Sequence, residues 1–79
     1  MKNSNNKVWQ PDSIIYHLGD EPSCAFLIIS GTVEFYSENN VLLGSAGQTE
    51  VFGEISCYLN KKHSVTAKAK THLAAKIIP

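Results

Sequence analysis

Phe26-Leu27-Ile28-Ile29-Ser30-Gly31-Thr32-Val33-Glu34-Phe35-Tyr36 is the stretch on which the fold class turns. Its first four residues are apolar in succession, which predicts a strand buried on both faces or lying where two sheets meet. Ser30-Gly31 breaks the run. Beyond it the pattern alternates, with Val33 and Phe35 on one face and Thr32, Glu34 and Tyr36 on the other. Ser37-Glu38-Asn39-Asn40 reads as a hairpin turn, because Asn tolerates positive φ. Val41-Leu42-Leu43 reads as the returning strand.

Toward the N-terminus, Ile14-Ile15-Tyr16 predicts a strand that ends in a turn at Leu18-Gly19-Asp20-Glu21-Pro22. Residues 1–7 read as a flexible polar tail. Toward the C-terminus, Gly44-Ser45-Ala46-Gly47 reads as a loop, and Val51-Phe52 runs into a tight bend at Gly53. Glu54 to Leu59 can make one or two helical turns, ended by Asn60. Ser64 to Lys70 alternates, with Val65, Ala67 and Ala69 on one side, and Leu73 to Ile78 is a final strand. Seven or eight short strands at roughly ten-residue spacing predict a mainly β domain over residues 8–79. The expected architecture is a small antiparallel β-barrel or jelly roll (a double-stranded β-helix) with one short helix.

Seventy-nine residues allow a single domain. A chain of this size buries only ~60–65% of its unfolded surface, so self-association is an expected source of added stability. The net charge is zero with His neutral, and neither this nor the strand pattern advertises DNA or a membrane surface. All seven cations are Lys, with no Arg, so the planar fork suited to phosphates and carboxylates is absent. Charge is segregated: residues 1–54 carry all seven acids, and residues 55–79 carry five of the Lys and no acid. Either two solvated faces neutralise each other or the second half holds an anion site.

The N-terminus has no apolar segment of secretory type, and the longest apolar run, Cys24 to Ile29, is far below the ~20 residues of a membrane span. A cytoplasmic location is therefore expected, with Cys24 and Cys57 reduced and packed as small hydrophobes. His17, His63 and His72 form no ligand pair of metal-binding spacing, and no nucleophile stands beside a base, so neither a metal cofactor nor an enzyme is expected.

The stretch with chemical content is Val51-Phe52-Gly53-Glu54-Ile55-Ser56, continuing to Lys61-Lys62-His63-Ser64-Val65-Thr66-Ala67. A Gly before a short helix lets backbone approach a ligand, and the free N–H groups of the first turn favour an anion. Glu54 would repel a phosphate beside it but suits a hydroxyl slightly further along the same ligand. Phosphate and sugar hydroxyl together describe a nucleotide. The same residues also read as a glycine turn with Glu54 favouring the helix N-terminus through the macrodipole.

Taken in order, four segments resemble the cyclic-nucleotide-binding domain family, of the catabolite activator protein and protein kinase A regulatory subunit type. Pro11 to Asp20 is similar to its opening strand and glycine turn, and Phe26 to Glu34 to its central strand pair. Phe52 to Ser56 is similar to the start of its phosphate-binding cassette, and Ser64 to Ala69 to the strand that closes it. The resemblance implies a regulatory domain that binds a small ligand, cAMP or cGMP. It implies phosphate on backbone amides around the short helix, whose start is matched by Gly53, Glu54, Ile55 and Ser56, with a ribose hydroxyl on Glu54 and a phosphate contact from Ser64. Phe52, His63 and Val65 complete the expected ligand-binding residues.

Where the family has an Arg, this sequence has His63. A charge-assisted hydrogen bond is worth roughly 1.5–3 kcal/mol, so its loss implies binding weakened by ~10–100-fold. The family's lid helices would begin about where this sequence stops, which implies a homodimer or a partner chain to supply the cover. A degenerate barrel acting as a protein-interaction or oligomerisation module is the alternative expectation.

Overall fold

The computed structural model describes residues 5–79. Eight strands and one helix follow in order: β1 (Asn6–Trp9), β2 (Ile14–Tyr16), β3 (Ala25–Ser30), β4 (Val33–Tyr36), β5 (Leu42–Ala46), β6 (Val51–Phe52), α1 (Glu54–Leu59), β7 (Thr66–Ala69) and β8 (Leu73–Ile78). They form two four-stranded antiparallel sheets, ordered β1-β8-β3-β6 and β2-β7-β4-β5. The expected mainly β jelly roll with a single short helix is the fold observed.

The stretch from Phe26 to Tyr36 crosses from one sheet to the other. β3 pairs with β8 and β6, whereas β4 pairs with β5 and β7. Gly31 makes the corner with φ +96°, and a Cβ there would stand 2.1 Å from the carbonyl oxygen of His72. Only glycine fits such a position, because both the left-handed backbone and the close approach exclude a side chain. Phe26 and Ile28 point into the core, but Ile29 is 40% exposed. β3 therefore alternates toward its end and is not buried on both faces as its composition suggested. Its sheet has one solvated side, as antiparallel sheets commonly do.

The core lies between the sheets. Phe26, Ile28, Val33, Phe52 and Leu73 fill it, while Ala67, Ala69 and Ala75 are fully buried and let the two sheets approach. An aromatic series runs through it: Trp9 meets Phe26 edge-on at 5.9 Å, Phe26 stacks on Phe52 at 4.9 Å, and Phe35 tilts against Phe52 at 5.7 Å. Aromatic pairs of this kind add about 0.5–1.5 kcal/mol beyond area burial.

Two boundaries differ from the sequence reading. Gly44 to Ala46 belongs to β5, not to a loop: Gly44 pairs with Phe35, Ser45 with Glu34 and Ala46 with Val33. Ladder pairing and burial of Ala46 outweigh the weak strand propensity of Gly and Ser. Asn6 and Lys7 lie in β1, opposite Lys76 and Ala75. The long β8 offers partners that local polarity could not reveal. Of the expected tail, residues 1–4 lie outside the described residues. The hairpin turn is as read, with Asn40 at φ 62° and its N–H donating to the Ser37 carbonyl at 2.9 Å.

Three of the five second-half lysines meet first-half acids across the surface. Lys62 meets Glu21 at 3.8 Å, Lys68 meets Asp12 at 3.8 Å, and Lys70 meets Glu34 at 3.7 Å. Each pair joins a second-half cation to a first-half acid; Lys62–Glu21 is exposed on both sides and contributes little stability, whereas the Glu34 carboxylate is half-buried. No helix among the described residues is long and apolar enough to cross a membrane.

Candidate functional site

The end of β6 opens into a cavity of about 400 Å³, within the range of small-molecule sites. Phe52, Gly53, Glu54, Ile55 and Ser56 form one wall, and His63, Ser64 and Val65 form another. All eight candidate residues from the sequence therefore line a single space.

Gly53 sets the first wall. Its φ of 79° and ψ of −2° turn the chain from β6 directly into α1. A Cβ at Gly53 would lie 3.3 Å from the Phe26 ring and 3.4 Å from the Cys24 carbonyl oxygen, so the turn is also packed closely against β3. The six-residue helix has no side-chain cap at its start, and Glu54 is the acid of its first turn. Its far end is closed by Asn60 in the left-handed conformation, φ 55° and ψ 45°, with its N–H on the Ser56 carbonyl. Of the helix side chains only Ser56 is buried, while Ile55, Tyr58 and Leu59 are exposed. The helix is thus held by its two ends and not by an apolar face.

The turn after β2 sets the second wall. Asp20 accepts from the His17 N–H at 2.8 Å and donates its own N–H to the His17 carbonyl at 3.0 Å. The turn so closed pairs with His63 in both directions: Gly19 donates to the His63 carbonyl at 2.8 Å, and His63 donates to the Asp20 carbonyl at 2.9 Å. This ladder carries the imidazole inward until it is only 4% exposed. There it stacks on Tyr16, with ring centroids 3.6 Å apart and planes 13° from parallel. Burial pushes the His63 pKa below its ordinary value, opposed in part by Asp20. Burial also pushes the Tyr16 hydroxyl up to about 12, helped by the nearby Glu54 carboxylate. The pair is therefore an uncharged aromatic stack at neutral pH.

Sequence reasoning did not find Tyr16, Phe35 and Ser45, nor Ala46, Glu50 and Val51, which complete the lining. Tyr16 and Phe35 carry only an alternating strand pattern, and their place beside His63 and Phe52 depends on sheet pairing. Glu50 does have a local signal, since it is an acid just before the Gly53 bend. Its carboxylate accepts from the Gly47 N–H at 2.7 Å and so shapes the approach to β6. No group of three metal-ligating side chains exists among the described residues.

A model of the cyclic nucleotide-binding domain matches residues 6–79. The chain belongs to that family. A cAMP-dependent protein kinase regulatory subunit of Candida albicans is 34% identical over 65 residues, covering 82% of this chain and 14% of the relative. The cyclic nucleotide-binding domain described above is therefore similar to a small part of a much longer protein. Among solved structures, the cGMP-bound form of the EAL enzyme Bd1971 is 28% identical with a TM-score of 0.88, covering 92% of this chain and 20% of that one. Its cAMP-bound form is 26% identical with a TM-score of 0.85, covering 92% and 21%. A cAMP-independent protein kinase A regulatory subunit from Trypanosoma brucei, 21% identical, shares the fold with a TM-score of 0.87 over 92% of this chain and 27% of that one.

Proposed function

We propose that this chain is a regulatory binding domain for a cyclic nucleotide, cAMP or cGMP, held in the cavity beside α1. The observation that carries this reading is the convergence of Phe52–Ser56 and His63–Val65 on one space. In this reading the ribose hydroxyl donates to Glu54, and the phosphate lies against the backbone amides of Gly53 to Ser56 and near Ser64. His63 stands where the family's guanidinium would be. Because its neutral form is favoured, it offers a single uncharged donor, and affinity falls by roughly ten- to hundredfold relative to a site with Arg.

Ile55 at 64%, Tyr58 at 86% and Leu59 at 51% exposure leave the outer face of α1 uncovered. A second copy or a partner chain that covers this face belongs to the same reading. The alternative, a barrel that serves only as an interaction or oligomerisation module, draws on the same exposed side chains.

Calorimetric titration with cAMP and cGMP separates the two. The native domain should give a 1:1 isotherm that weakens by about tenfold or more in the Glu54→Ala variant. Equal affinity in both proteins would remove Glu54 from the site. No binding up to millimolar ligand, with sedimentation showing a dimer, would favour the interaction module.

A further inference from the structure

We infer that the cavity selects uncharged nucleosides over their cyclic phosphates. This rests on the reading above in one respect only, that the cavity is a nucleoside-type site with Glu54 at the sugar.

The first observation is the charge of the walls. Among the lining residues are two carboxylates, Glu50 and Glu54, and no Lys. Lys62 follows the wall closely in sequence, yet its ammonium is turned outward to Glu21. A phosphate monoanion entering this space meets like charges without a counter-ion, which opposes binding, whereas an uncharged ligand meets no such repulsion.

The second observation is the Tyr16–His63 stack. With ring centroids 3.6 Å apart and nearly parallel planes, it is a flat aromatic surface with the imidazole almost fully buried. A protonated imidazole at this place would have to give up solvation, which burial disfavours. The stack therefore supplies neutral polar edges, suited to a hydroxyl or a base nitrogen and poorly suited to a full negative charge. Phe35, Phe52, Val51 and Ile55 add apolar wall for a base. Glu54 is best matched by sugar hydroxyls, which donate to a carboxylate, and a free nucleoside has two more of these than its 3′,5′-cyclic phosphate.

The test is calorimetry at pH 7.5 with adenosine, guanosine, cAMP and cGMP, at low and at high salt. A nucleoside should bind about tenfold or more tightly than its own cyclic phosphate. Added salt should improve the cyclic phosphate and leave the nucleoside unchanged, because screening relieves only charge repulsion. Glu54 is exposed, so Glu54→Gln should fold, and it should narrow the gap by weakening the nucleoside more than the cyclic phosphate, for which relief of charge repulsion offsets part of the lost hydroxyl contact. His63→Arg should reverse the preference, and Glu54→Gln keeps the inference testable if that larger residue does not fold. Cyclic phosphate binding equal to or tighter than the nucleoside would overturn this inference while leaving the proposed function intact. Absence of binding by all four ligands would overturn both.

Discussion

The corner at Gly31 offers a quantitative test of how the sequence specifies this fold. Gly31 and Gly53 both hold positive φ, at +96° and +79°, so alanine at either costs about 1–2 kcal/mol of backbone strain. They differ in the space available. At Gly53 the added methyl meets the edge of the Phe26 ring at 3.3 Å, a contact that a small ring shift relieves. At Gly31 it meets the His72 carbonyl oxygen at 2.1 Å and the Leu73 Cα at 2.9 Å, both backbone atoms at the start of β8. Relief there requires moving a central strand, and overpacking of this kind adds about 1–3 kcal/mol. Gly53→Ala should therefore cost about 1–2 kcal/mol and Gly31→Ala about 2–5 kcal/mol. A domain of this size has roughly 4–12 kcal/mol in all, so Gly31→Ala removes a large share of it. Urea unfolding followed by far-ultraviolet circular dichroism reads both values directly. A Gly31→Ala variant no less stable than Gly53→Ala would refute the geometry of the corner.

Two further predictions concern the aromatic stack. The His63 pKa is lowered in the fold, so below about pH 6.5 the unfolded chain binds this proton more readily than the folded one. Stability is then fully present above that pH and falls as the pH drops toward the folded-state value. The urea midpoint should decline between pH 7 and pH 5, and His63→Phe should reduce that decline; an unchanged slope would contradict burial of the imidazole. Tyr16, pushed up to about 12, should appear as a late phase in an alkaline absorbance titration. Tyr16→Phe should remove the phase and Glu54→Gln should move it to lower pH, whereas a phase insensitive to Glu54→Gln would separate the two groups.

Most of the architecture was legible in the chain because strand alternation and turn chemistry are local. Asn40 and Asn60 announced their left-handed conformations, and Gly53 announced the bend before α1. What escaped was decided by pairing partners far away in sequence. Gly44 and Ser45 become strand because β4 lies opposite, and Asn6 and Lys7 become strand because β8 extends to meet them. The cavity divides in the same way. Its cassette wall is one continuous segment and could be read, but Tyr16 reaches His63 only through the pairing of β2 with β7 and of Gly19 and Asp20 with His63. The charge state of His63 was likewise hidden, since burial, and not the residue type, decides it. Any gain in cyclic nucleotide affinity from protonating His63 therefore belongs at a pH below the ordinary value of an imidazole.

Amide chemical-shift mapping tests most directly whether this cavity is the ligand site. Heteronuclear spectra of the labelled domain should be titrated with cGMP and, in parallel, with guanosine. The account predicts shifts concentrated at Gly53 to Ser56, His63 to Val65 and Tyr16, with the remote β1 amides unmoved. Shifts centred on β1 or the Ser37–Asn40 turn, or none at millimolar ligand, would contradict it.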